Sequence, residues 1–339
     1  MEKIGFTTTI PIEILHAAQK VPVDLNNVFI TSPNRKELIE QAEIQGFPRN
    51  LCGWIKGIFG IVRQNNIKTV IGVTQGDCSN TQALMEALQE EGVTVIPFSY
   101  PYDRDRDLLQ LSLKKLMSYL GVSTNEVLIA KSVLDRIRSK VHVIDGMTWQ
   151  DNKISGEENH YFQVSCSDMN QDCEKFKKEV YQFIEKARLR KRFKEKIRLG
   201  YIGVPPIFTD LYPYLETLGA RVVFNETQRQ FSMPFQTESI VEQYLHYTYP
   251  YDIFARITDI EREIKKRKID GLIHYVQSFC FRQIEDLIVR RKIKVPVLTL
   301  EGDKPAPLDA RSRMKIEVFL EMLFSRKEKE KIRGIKRQR

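Results

Sequence analysis

The sequence has no window approaching the roughly 18 apolar residues that a membrane-spanning helix needs, and its opening, MEKIGFTTTIPIEILHAAQKVPV, has no apolar core behind a basic start. These absences predict a cytoplasmic protein. There is no GxxxxGK loop followed by Ser or Thr, so nothing suggests that this chain hydrolyses ATP itself. Close cysteine pairs of the CxxC kind, on which zinc sites usually draw, are also missing. The five cysteines are odd in number and widely spread through 339 residues, which argues against a secreted disulfide framework and for reduced thiols or metal ligands.

What is present is ordinary globular material, 42% hydrophobic and 29% charged, in a chain long enough for two cores. The net charge of +9 is local. Residues 185–198 hold eight Lys or Arg against two Glu, and residues 326–339 repeat that count, so the remainder of the chain is slightly acidic. Neither run interleaves aromatics for base stacking. A solvated face and a disordered tail account for them; the functional alternative is a landing site for a polyanion, such as coenzyme phosphates, an acidic partner protein or nucleic acid.

Two stretches share one pattern of strand, cysteine-bearing turn, helix and strand. Ile67 to Tyr100 and Ile269 to Gly302 align without a gap at an offset of 202 residues, placing Ile67, Gln75, Cys78 and Val95 on Ile269, Gln277, Cys280 and Val297. The openings of the two halves also match in kind: Ile4 to Leu25 and Ile197 to Glu226 each read as strand, proline-containing turn, helix and strand. Strands alternating with helices in two related halves predict an α/β protein of two parallel-sheet, flavodoxin-like or Rossmann-like domains. The expected division is an N-terminal domain over 1–145, a polar linker and basic helix over 146–196 with a small hairpin near Asn152 to Gly156, a C-terminal domain over 197–325, and a basic tail over 326–339. Helices are expected over Leu108 to Leu120, Thr124 to Val141 and Ser312 to Phe324.

Cys78 and Cys280 thus fall between the C-terminal end of a strand and the start of a helix, where open α/β sheets place their ligands and helix amides favour a thiolate. Cys52 joins them: in RNLCGWIKGIFG, Asn50 is a fair N-cap and puts Cys52 in the first helical turn. Gly53, Gly57 and Gly60 recur along that helix, so another backbone or a bulky group is expected to approach it closely. From pattern alone two readings stand open. Each cysteine is a small buried hydrophobe at a tight turn, or the three converge on an interdomain cleft as a thiolate site with one open coordination position.

Five stretches carry a family resemblance: GFTTTIPIEILHAAQKVPVDL, LCGWIKGIFG, GDCSNTQALMEAL, YDIFARITDIEREIKKRKIDGLIHYVQSFC, and VPVLTLEGDKPAPLDARSRMKIEVFLEML. The last is the most specific, with its Glu-x-Asp turn, its arginine pair and its amphipathic helix in that order. Together they cover most of the chain, which resembles the 2-hydroxyacyl-CoA dehydratase component D and benzoyl-CoA reductase superfamily, including the double-cubane cluster proteins. The resemblance implies an oxygen-sensitive iron-sulfur cluster, 4Fe-4S or double-cubane 8Fe-9S, held by cysteines at the positions of Cys52, Cys78 and Cys280. It also implies single electrons from a separate ATP-hydrolysing activator, a homodimer or a heterodimer with a related subunit, and low-potential reduction or dehydration of a substrate such as an acyl-CoA. A non-enzymatic cluster carrier is the alternative of a different class.

The chain departs from that pattern in three ways. It is shorter than the usual catalytic subunits. Phe281 follows the third cysteine where many relatives have a polar or acidic residue. Cys166 and Cys173 have no counterpart and are expected to be surface or semi-buried thiols. Glu301, Asp303 and Arg313 are weak catalytic candidates, each with a plainer reading: the carboxylates cap Arg311 or Arg313, and Arg313 pairs with Glu317. His274, inside a buried strand, is expected to be a satisfied core histidine.

Overall fold

The computed structural model describes residues 1–337 and side chains as far as Ile332; positions 338–339 of the basic run lie outside the described residues. Among the described residues, eight strands form two four-stranded sheets, every pairing parallel. The first sheet contains β1 (Lys3–Phe6), β2 (Val21–Asp24), β3 (Thr69–Gln75) and β4 (Thr94–Ser99), and the second contains β5 (Ile197–Gly203), β6 (Ala220–Asn225), β7 (Gly271–Gln277) and β8 (Val297–Gly302). Their spatial orders, β2-β1-β3-β4 and β6-β5-β7-β8, are the same topology used twice. Register repeats as well: Val70 pairs with Val95, and Leu272, the residue 202 positions on from Val70, pairs with Val297. The expected α/β architecture of two parallel-sheet units is therefore present. β6 and β7 are buried along their whole length, as expected of strands covered by helices on both faces.

The stretch 146–173 departs from the sequence reading. No hairpin forms at Asn152 to Gly156. The helix from Thr124 runs on to Trp149, and a new helix spans Gly156–Val164. Ser155 and Glu158 close a capping box, each side chain meeting the other's backbone amide, so Gly156 opens a helix. Gly156 is needed for proximity, since a Cβ there would lie 2.8 Å from the Val222 carbonyl. Phe162, Cys166, Met169, Phe176 and Val180 from this region are buried in the core of the first sheet, together with Phe231, Tyr244 and Tyr247 from the second half. Cys166 is fully buried rather than superficial, and half-buried Cys173 packs beside the His16 ring.

Buried ion pairs tie these layers together. Arg138 donates to Glu13 (2.6 Å), which also accepts from Gln243 and Tyr244. Arg267 donates to Asp145 (2.6 Å) and Glu263 (2.7 Å). The closing helix, Ala310–Arg337, continues well past Phe324 into the basic run, so that run is helical as far as it is described, and Lys327 reaches Asp270 (2.6 Å). No helix among the described residues is long and apolar enough to cross a membrane.

Candidate functional site

In sheets of this order, ligands bind beyond the carboxyl ends of the strands where the chain reverses direction, between the first and third strands. Here the two reversal points face each other. The segment Thr7 to Thr9 after β1 and Asp77–Cys78 after β3 lie across a cavity of about 550 Å³ from Val204 to Pro206 after β5 and Cys280 after β7. Cys52 lines the same cavity, with Trp54, Ile55 and Ile58 of its helix. All three cysteines are free thiols, and none of the remaining two lines the cavity.

The local geometry of each cysteine follows from its turn. Cys52 is itself the N-cap of the helix Gly53–Gln64, two positions earlier in the helix than a cap at Asn50 would put it, with helix starting at Gly53. Cys78 Sγ accepts the Asn80 amide at 3.4 Å. Cys280 follows Phe279, whose φ of 63° is the left-handed conformation a bulky side chain rarely takes, and caps the turn Phe281–Ile284. In the first repeat the left-handed residue falls one position earlier in the alignment, at Gly76, φ 97°, which packs against Pro250 of the second half.

The expected preference for thiolates is overridden. Burial pushes the Cys52 thiol up to about 12 against the lowering pull of the Trp54 and Ile55 amides. Burial likewise pushes Cys78 up to about 11, opposed by the Asn80 amide, and raises Cys280, opposed by the Arg282 amide and guanidinium. Cys52 and Cys78 are each raised further by Cys280, so the thiols are near enough to repel as anions. Holding all three as thiolates would take compensating positive charge, of which the Arg282 guanidinium supplies part at Cys280. No group of three or more His, Cys, Asp or Glu among the described residues is arranged to hold a single metal ion.

Four residues brace this end of the cavity. Gln277 Nε2 donates to the Asp303 carbonyl (2.7 Å), while Gln277 Oε1 accepts from Trp54 Nε1 (3.2 Å) and Tyr275 Oη (2.8 Å). That amide fastens the Cys52 helix to the strand ends of the second sheet. The glycines on the helix do what their spacing predicts: a Cβ on Gly53 would lie 2.7 Å from the Asp303 carbonyl oxygen, and one on Gly57 would lie 2.4 Å from the Phe29 ring. Arg282 is buried at the cavity wall, donating to the Tyr249 carbonyl (2.8 Å) and Glu285 (3.0 Å).

The carboxylate and arginine candidates fall elsewhere. Glu301, Asp303 and Arg313 do not line the cavity. Glu301 accepts from Ser278 (2.8 Å) rather than capping Arg311 or Arg313, and Arg313 pairs with Asp210 (2.7 Å), not Glu317, over the Tyr214 ring. Asp303 contributes its main-chain oxygen to the brace. His274 is a satisfied core histidine, its Nδ1 2.7 Å from Asp286. Sequence reasoning passed over Trp54, Arg282, Asp24, His160 and Asp168, all of which line the cavity. Arg282 follows a named cysteine by two positions and Gln277 falls on Gln75 in the repeat, so those two had a signal; Asp168 sits in the stretch read as linker and had none.

A family model described as 2-hydroxyglutaryl-CoA dehydratase, D-component, matches residues 7–323. The chain belongs to this family. The match begins just after β1 and takes in the other seven strands, the three cavity-lining cysteines and about half of the closing helix. No curated protein matches the chain in a direct search. The family is one of dehydratase components, which fits an enzymatic role, and the cavity between the two sheets is the candidate site.

Proposed function

We propose that this protein is the iron-sulfur component of an ATP-dependent, low-potential reductase or dehydratase system. It takes single electrons from a separate ATP-hydrolysing activator and reduces a substrate bound between its two sheets. The observation that carries this reading is that cysteines from both halves, Cys52, Cys78 and Cys280, line one cavity with no other thiol. The donor set fits a cluster whose irons each take one thiolate, with one iron left open to an exogenous ligand. Such a cluster, 4Fe-4S or double-cubane 8Fe-9S, supplies low-potential electrons and a Lewis-acidic iron.

The chain's own residues do the rest. Gln277 and Trp54 hold Cys52 and Cys280 in register across the cleft. Ile55, Ile58, Val204 and Leu211 give the cavity apolar walls that exclude water. Buried Arg282 offsets negative charge gathered at the cysteine end. A 2-hydroxyacyl-CoA dehydratase subunit proper, working as a homodimer or beside a related subunit, is the second reading; the family description and a cavity large enough for an acyl group favour it.

Iron and acid-labile sulfide in anaerobically purified protein test the proposal. About four irons per chain are expected for one cubane and about eight for the double cubane. Serine at Cys52, Cys78 or Cys280 should remove most of the iron, while serine at Cys166 or Cys173 should retain it. A colourless, iron-free wild type under strict anoxia would sink the reading. Cluster transfer to an apo-acceptor without ATP-dependent turnover would instead identify a carrier.

A further inference from the structure

The two basic runs that stand apart in the sequence are joined in the fold. Lys327 of the closing helix donates to the Lys196 carbonyl (2.9 Å) and to Asp270 Oδ2 (2.6 Å), and the same oxygen accepts the Arg198 amide (2.7 Å). Arg198 Nε in turn donates to the carbonyl of Arg267 (2.9 Å), in the basic last turn of the helix Ile253–Arg267. Three segments, 188–198, 265–270 and 326–332, therefore meet around Asp270 with 15 Lys or Arg against four carboxylates, a larger surplus than the +9 of the whole chain. They lie where β5 and β7 begin, about 20 Å from the cysteine end of these seven-residue strands. The fold itself does not require this charge. Lys268 holds a left-handed φ of 53°, and the equivalent position of the first repeat, φ 50°, is Asn66, a residue type that conformation suits. At the amino ends of the first sheet, Lys20 is neutralised by Glu2 (2.7 Å).

The kind of partner follows from which groups face outward. Arginines that could read bases or grip carboxylates as planar forks are held internally, Arg198 by Glu195 (2.7 Å) and Arg267 by Asp145 (2.6 Å). Lys194, Lys196, Lys265, Lys268, Lys329 and Lys331 are exposed and form no ion pair among the described residues. The nearby rings are covered by cations, Phe193 by Arg221 (5.1 Å) and Trp149 by Lys266 (5.3 Å), so neither is free to stack on a base. Protein interfaces are depleted in lysine, which argues against an acidic protein. Two large apolar side chains stand among the cations: Leu189, 89% exposed, between Arg188 and Arg190, and Ile332, 54% exposed, after Lys331. A phosphodiester backbone takes only the charges, whereas an anionic lipid surface takes both the charges and the aliphatic groups. We propose that this face docks on an anionic phospholipid bilayer, its lysines meeting the headgroups while Leu189 and Ile332 enter the interfacial layer. Docked in this way, the protein turns its cavity, at the opposite strand ends, away from the membrane.

Cosedimentation of the full chain with vesicles tests this, using phosphatidylcholine alone and phosphatidylcholine with about 30% phosphatidylserine. Binding is expected on the anionic vesicles at about 0.1 M salt, should fall steeply by about 0.5 M, and should be absent on the neutral ones. Lys194→Gln, Lys196→Gln, Lys329→Gln and Lys331→Gln combined should weaken it about fivefold per lysine, roughly 600-fold in all. The matched set Lys36→Gln, Lys68→Gln, Lys114→Gln and Lys115→Gln removes the same charge elsewhere and should stay within about threefold of the wild type. Leu189→Ser should weaken vesicle binding about tenfold and leave the affinity for a short DNA duplex, read by fluorescence anisotropy, unchanged. If a variant does not fold, the lipid and salt dependence of the wild type still decides. No binding to anionic vesicles, equal binding to neutral ones, equal losses in the two lysine sets, or Leu189→Ser bound like the wild type would each overturn the assignment. A duplex that binds more tightly than the vesicles and displaces them would assign the face to nucleic acid instead.

Discussion

Replacing Gly53 with Ala probes how the Cys52 helix seats against the second half of the protein. The added Cβ would lie 2.7 Å from the Asp303 carbonyl oxygen, with Ile39 and Ile207 at 3.5 and 3.6 Å. A relaxed carbon–oxygen contact is about 3.4 Å, so helix and turn must part by roughly 0.7 Å. The obstacle is main chain held by Gln277, not the tip of a flexible side chain, and overpacking of this kind costs about 1–3 kcal/mol. At Gly57 the clash, 2.4 Å from the Phe29 ring, outweighs the gain of about 1 kcal/mol from replacing a mid-helix glycine. Gly146→Ala is the internal control. Its Cβ meets nothing nearer than Gln150 Oε1 at 3.6 Å, so it should stabilise by up to about 1 kcal/mol. Anaerobic urea unfolding gives the three midpoints at unchanged slope, and iron per chain gives the consequence for the site. Gly53→Ala should lose more iron than Gly57→Ala, because Cys52 is the adjacent residue. A Gly53→Ala protein as stable as Gly146→Ala would refute the seating described here.

Three further outcomes are expected. Arg138→Met should cost about 3–5 kcal/mol, because fully buried Glu13 loses its counter-charge. In the wild type, burial raises the Glu13 carboxyl but Arg138 more than offsets this, leaving it below its usual range, so its contribution is present at neutral pH and fades on acidification. Without Arg138 burial prevails and the carboxyl rises, so the variant's deficit in urea unfolding should shrink as pH falls. Asp168→Asn should flatten stability against pH: the raised wild-type group favours folding fully below about pH 4 and loses up to about 1.4 kcal/mol per unit until pH 8, a loss the variant lacks. A slope unchanged between those limits would show that Asp168 ionises normally. Trp54→Phe removes the indole donor to Gln277 and should cost about 1 kcal/mol, with iron retained less tightly; unaltered iron release to a chelator would remove that amide from any role in holding the site.

Local signals were strong where the chain repeats itself. The offset between Cys78 and Cys280 predicted equivalent turns, and both fall at the strand ends where their sheets reverse direction. Glycine spacing after Cys52 predicted a close approach, and the carbonyl of Asp303 and the ring of Phe29 supply it. Where the reading failed, a tertiary partner was responsible. The polar stretch after Trp149 looked like a linker because its helix is short and mixed in composition, yet Ser155 caps it and Phe162 and Met169 bury against the first sheet. Arg313 looked available for Glu317 four residues on, but Asp210, distant in sequence, lies closer to its guanidinium.

By itself the sequence determined the period: two βα units, each with a cysteine in its strand-to-helix turn, because strand, turn and helix preferences act over a few residues and survive duplication. It also placed a thiol in each of the two turns, Cys78 and Cys280. Only the tertiary structure decided that the two sheets face each other across one cavity, and that Cys52 joins the other thiols there. Burial in that cavity, which no local pattern encodes, raises the thiols despite their helix amides and sets the Asp24 amide against the Asp168 carboxyl. Proton affinity depends on what surrounds a group in three dimensions, and in this chain those surroundings come from residues more than a hundred positions apart.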